Sequence, residues 1–339
     1  MKKVPNLIFK SALDYCIYLS NHTPTDEDQF DFKLVKTCEP FTMLLTATAI
    51  RQYRKRIQYH SSHDIPPTGC INTYADTMRF YRASGINKGK SFEEDYGNGN
   101  YLPITQLDIA ELRETGLKNY EVIQEQIVKK SKEMSAVLSR DNKFLANMLT
   151  YALTEIMRNV PEHSSADSIW YSSQYWPSKD CVELAFLDEG IGIQNSFLNN
   201  PAFSQIIDND TDALLHAIKP GISSAFSPNS QNLSYCDWAN SGFGLYMISS
   251  LCAELGGDFI IVSGKSALKI SKDKKTQSIV HNIRDCSLNG TAVRLRISPS
   301  KIDNYEEISK KILHSGELSA KNRRNAITSA SKSSKSIFQ

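Results

Sequence analysis

Between residues 145 and 160, Leu145, Met148, Leu149, Ala152, Leu153, Ile156 and Val160 recur at the spacing of one helical stripe. Glu155, Asn159 and His163 are spaced by four and share another face wherever the helix runs that far. The stretch 151–164, YALTEIMRNVPEHS, therefore predicts a helix with an apolar back and a polar front. An ordinary solvated amphipathic helix would show the same pattern, so other parts of the chain must decide between solvent and a ligand.

Three later segments bear on that choice. Residues 181–194, CVELAFLDEGIGIQ, read as an apolar strand ending in Asp188 and followed by Gly190 and Gly192. Residues 241–250, SGFGLYMISS, read as a glycine pair entering a helix, and 289–297, NGTAVRLRI, as a turn leading into an alternating strand. In this order and spacing the four segments resemble the nucleotide-binding boxes of the GHKL ATPase superfamily, which includes gyrase, heat-shock chaperone ATPases, mismatch-repair ATPases and histidine kinases. The set Glu-x3-Asn, Asp-x-Gly-x-Gly-Ile, Gly-x-Gly-Leu-Tyr and Gly-Thr carries the resemblance, which covers residues 140–300.

What the resemblance implies is a site for ATP and Mg²⁺. Asn159 would be the metal ligand, its amide oxygen being a hard neutral donor. Glu155, one helical turn earlier, would orient or deprotonate the attacking water. Asp188 would bond the adenine amino group, with Gly190 and Gly192 letting the backbone approach the ring and Ile193 completing that box. Gly242, Gly244 and Leu245 would bring backbone N–H groups and a helix N-terminus to the phosphates, and Thr291 would join Asp188 near the base. Pro161 restricts Val160 and kinks the helix end, which leaves the position of His163 open. Three activities remain: ATP hydrolysis with lid and domain changes, protein serine kinase activity of the anti-sigma type, and a nucleotide switch that scarcely turns over. Glu155 favours hydrolysis over the switch, since binding alone needs no base.

Two decoys fail. No histidine lies between residues 64 and 162, where a phosphorylatable one would have to sit in a histidine kinase. Gly264-Lys265-Ser266 imitates the end of a P-loop, but Phe259 stands where that motif needs a glycine.

The fold expected is α/β: a GHKL-type sandwich, with a mixed sheet and helices on one face, preceded by a smaller α/β domain. Over 339 residues the division expected is a regulatory or partner-binding domain at 1–110, an ATP-binding domain at 111–315 and a disordered tail at 316–339. Within the first part, a strand at 30–35, a helix from Pro40, a strand at 70–73 and a helix at 75–83 stopped by Gly85 give a rhythm similar to STAS-type regulatory domains. The basic cluster Arg51, Arg54, Lys55 and Arg56 reads as a solvated helix end, 88–100 as a loop, and helix resumes near 119. The long segment 195–241 suits a lid.

Lys+Arg 39 against Asp+Glu 37 leaves +2, which supplies no argument for nucleic acid or an anionic membrane surface. The seven cysteines form no CxxC pair, as expected of reduced thiols in the cytoplasm. Pro5, Lys10 and Asp14 interrupt any signal-like run, and no stretch approaches a membrane span. A protein partner, or a second copy, is expected at the N-terminal domain. A lysine for the γ-phosphate is expected from that domain or a partner chain, because only a short helix follows Ile297.

Overall fold

The structure is a computed structural model that describes residues 2–25, 28–56, 72–86, 99–225, 241–323, 326–331 and 335. In chain order the elements are β1 (Lys2–Lys3), α1 (Phe9–Asn21), β2 (Phe30–Asp31), α2 (Pro40–Lys55), α3 (Thr73–Thr77), α4 (Phe80–Ala83), β3 (Tyr101–Asp108), α5 (Ile109–Lys118), α6 (Ile123–Ser139) and α7 (Lys143–Asn159). They continue as β4 (Ser168–Trp176), β5 (Cys181–Asp188), α8 (Gly192–Leu198), α9 (Asp210–Ala217), α10 (Gly244–Glu254), β6 (Asp258–Lys272), β7 (Ile279–Ile297) and α11 (Tyr305–Lys321).

Strands β3, β4, β5, β7 and β6 form, in that order, one sheet in which every pairing is antiparallel. Successive side chains on a strand point to opposite faces. On β5, Leu184 and Phe186 join a core with α7 and α10, while Ala185 and Leu187 join a second core with α1, α2 and α4. β6 alternates likewise, Phe259 and Ile261 to the first core and Ile260 and Val262 to the second.

The sheet is thus antiparallel rather than mixed, and helices cover both of its faces rather than one. The reason lies in α2: residues 40–50, PFTMLLTATAI, are all buried, so this helix has no side to give to solvent. The sheet's back face covers it. The boundary expected at residue 110 does not separate two cores, because β3 belongs to the main sheet and the N-terminal helices share the second core with β4–β7. Before β3, the only strands among the described residues are the two-residue pair β1 and β2, so the expected strand at 30–35 shrinks to Phe30–Asp31. The expected strand at 70–73 lies partly outside the described residues, and Thr73 begins α3 instead. Most of the expected loop at 88–100 also lies outside them.

The basic end of α2 is only in part solvated: Lys55 and Arg56 are exposed, whereas Arg51 and Arg54 are partly buried. Arg51 donates to the carbonyl of Ala83 at 2.7 Å, Arg54 to that of Ser84 at 2.8 Å and Arg56 to that of Ser20 at 3.1 Å. These cations satisfy the last carbonyls of neighbouring helices, where the helix dipole also favours them. The expected tail is in part packed: α11 runs to Lys321, and Ala320, Ala326 and Ala330 are buried. Alanine fits there by being small, a signal that polar composition hides. Among the described residues no helix is long and apolar enough to cross a membrane, and Cys16, Cys38, Cys181, Cys252 and Cys286 are free thiols.

Between α2 and the sheet lies a buried ion pair. Glu183 is 0% exposed, accepts from the Phe41 amide at 2.9 Å and from Arg296 Nε at 2.6 Å. Replacing Arg296 by leucine would leave that carboxylate buried without its hydrogen-bonded cation, with only the more distant charge of Arg294 to offset it. Urea denaturation of Arg296→Leu is expected to show a loss of about 3–5 kcal/mol.

Candidate functional site

Helix α7 begins where Arg140 and Asp141 take left-handed backbone angles, φ 47° and 68°, and Asn142 caps it by accepting from the Leu145 amide at 3.0 Å. Its apolar stripe is buried as expected, Leu145, Met148, Leu149, Ala152, Leu153 and Ile156 all lying in the first core. Glu155 and Asn159, on the other face, line a cleft.

The helix does not stop at Pro161. Residues Val160–Ser164 form a single π turn. Proline has no N–H to return to the preceding turn, so the chain widens by one residue there instead of breaking. The wider turn keeps His163 on the cleft, with Nδ1 3.2 Å from the hydroxyl of Ser224, and burial pulls its pKa below the usual imidazole value. It also directs the Ser164 carbonyl to the Ile191 amide at 2.8 Å.

That contact fixes the loop after β5. Gly190 donates to Asp188 Oδ1 at 3.0 Å, and a Cβ on Gly190 would overlap the Ser164 carbonyl. Gly190 is therefore required by the π turn and, unlike the other expected residues, Gly192 and Ile193 among them, does not line the cleft. Gly192 has φ 78°, a backbone angle that costs a side chain, and Ile193 donates to Ser263 Oγ at 3.0 Å. Ser263 in turn donates to the Gly290 carbonyl at 2.9 Å. One hydroxyl thus ties the loop after β5 to the turn before Thr291, which pairs with Asp188 in the sheet register.

Asp188 is 6% exposed, and burial is the largest influence on its carboxyl. Burial pushes its pKa up to about 6, against hydrogen bonds from the Gly190 amide, the Ser164 hydroxyl and the Thr291 amide. Across the cleft, Gly242 turns with φ 68° against the Ile222 carbonyl, and α10 starts at Gly244, whose missing side chain leaves room for the Glu155 carboxylate. Arg158, 5% exposed at its side chain, lies 3.7 Å from Glu155 and 3.0 Å from Glu162.

Glu155, Asn159, Asp188, Gly192, Ile193, Gly242, Gly244, Leu245 and Thr291 therefore line a single cleft, whose empty space, open mouth included, is about 920 Å³. Its floor is apolar, with Phe186, Ile261 and Val293 from the sheet. One end carries a buried carboxylate and the other an amide, a carboxylate and the N-terminus of an eleven-residue helix. That arrangement suits a ligand with a flat, donor-bearing part and an anionic part. No lysine or arginine lines the cleft among the described residues, and none of them forms a cluster of three His, Cys, Asp or Glu fit to hold a metal.

Several lining residues carried no role in the sequence reading. Ser164, Ser196, Ser223 and Ser224 contribute hydroxyls, with Ser196 Oγ 2.9 Å from Ser224 Oγ. Serines in loops give no periodic signal, and only the position of Ser164 straight after His163 could have marked it. The segment expected to be one long lid holds α8 and α9, with Phe197, Phe203 and Leu214 in the first core; residues 226–240 lie outside the described residues. No protein-family model matches this chain, and neither does any curated protein.

Because the folded state holds the Asp188 proton more tightly than the 3.8 of a free carboxyl, this group stabilises the fold at low pH. That contribution is lost as pH rises from 3.8 through about 6. Chemical denaturation of wild type and Asp188→Asn across pH 3.5–7.5 should show wild type losing ground to the variant over that window, with a constant difference above it.

Proposed function

We propose that this protein binds ATP with Mg²⁺ and hydrolyses it, with the elements around the cleft changing state with the nucleotide. The observation that carries this reading is the meeting of four sequence-distant segments, those of Glu155 and Asn159, Asp188, Gly242 and Gly244, and Thr291, in one cleft with an apolar floor. The residue order and types are those of the GHKL resemblance, and their convergence in one cleft supports it.

Adenine offers a flat ring and an exocyclic amine. Asp188, ionised near neutral pH and already oriented by three donors, would accept from that amine while Thr291 lies beside it. The phosphates would lie toward Asn159 and the start of α10. With no clustered acidic ligands among the described residues, Mg²⁺ would be held by the Asn159 oxygen, by the phosphates and by water, which is how this ion is commonly bound. The ion would neutralise charge on the phosphates. Glu155 would take the proton of a water attacking the γ-phosphorus, so that the P–O bond to the β-phosphate breaks and ADP and phosphate leave.

The absence of lysine or arginine from the lining, among the described residues, leaves the γ-phosphate without a protein cation. Slow turnover by the isolated chain follows from this, and a partner could supply the cation.

Calorimetry should show Asn159→Ala and Asp188→Asn each weakening MgATP binding by about tenfold to a hundredfold. Unchanged affinity in both would remove the assignment. Since the amine needs the ionised form of Asp188, affinity should fall on acidification through about pH 6, being about tenfold lower at pH 5 than at pH 7 in wild type. Asp188→Asn should be flat over the same range.

Glu155→Ala should retain MgATP yet lose about 10² to 10⁴ in phosphate release. If wild type binds MgATP but releases phosphate no faster than Glu155→Ala, hydrolysis by the isolated chain is excluded. Transfer to a partner's serine, or a switch without turnover, would then take its place.

A further inference from the structure

The back of the site is gripped by α2, from the opposite face of the sheet. Glu189, the residue after Asp188, turns away from the cleft. Arg51 reaches it with Nη2 at 3.0 Å and Nε at 3.3 Å, and Lys55 Nζ reaches its other oxygen at 2.9 Å. Burial works against a charge on Glu189, but these two cations outweigh it and hold the carboxyl below its usual range.

Arg51 is itself fixed on every side. It donates to the Ala83 carbonyl at 2.7 Å and to Thr48 Oγ1 at 2.7 Å, and its guanidinium lies 4.0 Å from the ring centre of Trp170, whose strand partner is Leu187. Gln52, next along α2, holds the second loop with both ends of its amide. It donates to the Asn289 carbonyl at 2.6 Å and accepts from the Asn289 amide at 3.2 Å, the pattern of one rung of a β-ladder made by a side chain. Asn289 precedes Gly290 and Thr291, and Gly290 lies so close to Asp188 that a Cβ there would overlap the Asp188 carbonyl. Neither loop can shift without its clamp yielding.

We propose that Arg51 and Gln52 are positioning residues for the base-binding end of the cleft, holding Asp188 and Thr291 in register through Glu189 and Asn289. The proposal rests on the reading of the cleft as an ATP site. It makes the N-terminal layer a determinant of nucleotide affinity although none of its described residues lines the cleft. The phosphate end, built on α7 and α10, lies outside the clamp's reach.

Two measurements on the full chain, with Arg51→Ala, Arg51→Lys and Gln52→Ala, test it. The first is hydrogen exchange without nucleotide, which reads the clamp directly. Exchange at residues 188–192 and 289–291 should accelerate in Arg51→Ala and Gln52→Ala. The second compares the affinities of MgATP and of magnesium tripolyphosphate, which has the anionic end but no base. MgATP should weaken about tenfold in Arg51→Ala and in Gln52→Ala while tripolyphosphate is unchanged. Arg51→Lys, which keeps the charge but not the fork or the stack, should recover part of the loss.

A merely structural role would weaken both probes in proportion, and that result overturns the proposal. So does unchanged exchange in the two loops. If Arg51→Ala fails to fold, Gln52→Ala decides, since Gln52 is only partly buried. Faster exchange in the variants, together with no MgATP binding by wild type, would instead overturn the ATP reading and the link from clamp to base, while leaving the loop contacts as found.

Discussion

The burial of β5 on both faces is the constraint from which the rest of the molecule follows. Val182, Leu184 and Phe186 look one way, Ala185 and Leu187 the other, and all are 2% exposed or less. A strand of this kind cannot stand at a surface, so the chain must provide a helical layer on each side of it. The second layer comes from the described residues before β3, which explains why residues 40–50 of α2 are buried throughout and why, among those described residues, the only strands are the short pair β1 and β2. A segment that reads as a separate unit along the chain becomes, in space, the back wall of a single three-layer body.

The same alternation distributes charge. Glu183, Asp188 and Glu189 lie within seven positions on β5 and the loop after it, and they are handled in two ways. Glu183 and Glu189 face the N-terminal layer, where arginines meet them: Arg296 for the first and Arg51, with Lys55, for the second. Asp188 faces the cleft, where burial and the nearby Glu189 charge act against hydrogen bonds from Gly190, Ser164 and Thr291. A buried carboxylate that the fold declines to neutralise, in a cavity with an apolar floor, is where a ligand's donor has the most to contribute.

Much of the front of the site was legible because it depends on short spacings along regular elements. Glu155 and Asn159 share a face of α7 by the helical period, and Asp188 ends an apolar run whose partner strand carries Thr291. What escaped was of two kinds. The π turn at 160–164 is not legible beyond a kink at Pro161, because proline's missing N–H shows in the sequence whereas the ability of the Ser164 carbonyl to find the Ile191 amide does not. Arg51 is not the solvated residue its local sequence suggests, because nothing local shows that Glu189, more than 130 residues on, lies against it, as Asn289 does against Gln52. The layering had the same cause: an all-buried α2 states that it needs cover on every side, but not which strands will provide it.

The pairing of Asp188 with Thr291 has a kinetic consequence. The hairpins β4–β5 and β6–β7 close locally, whereas the register that brings these two residues together joins positions about a hundred residues apart and must wait for the hairpins to dock. The cleft therefore exists only in the finished fold, and a partly folded chain has its halves without the pocket. A molecule that occupied the cleft would bind the completed chain and not the unfolded one, so its occupancy would raise the apparent stability of the whole fold.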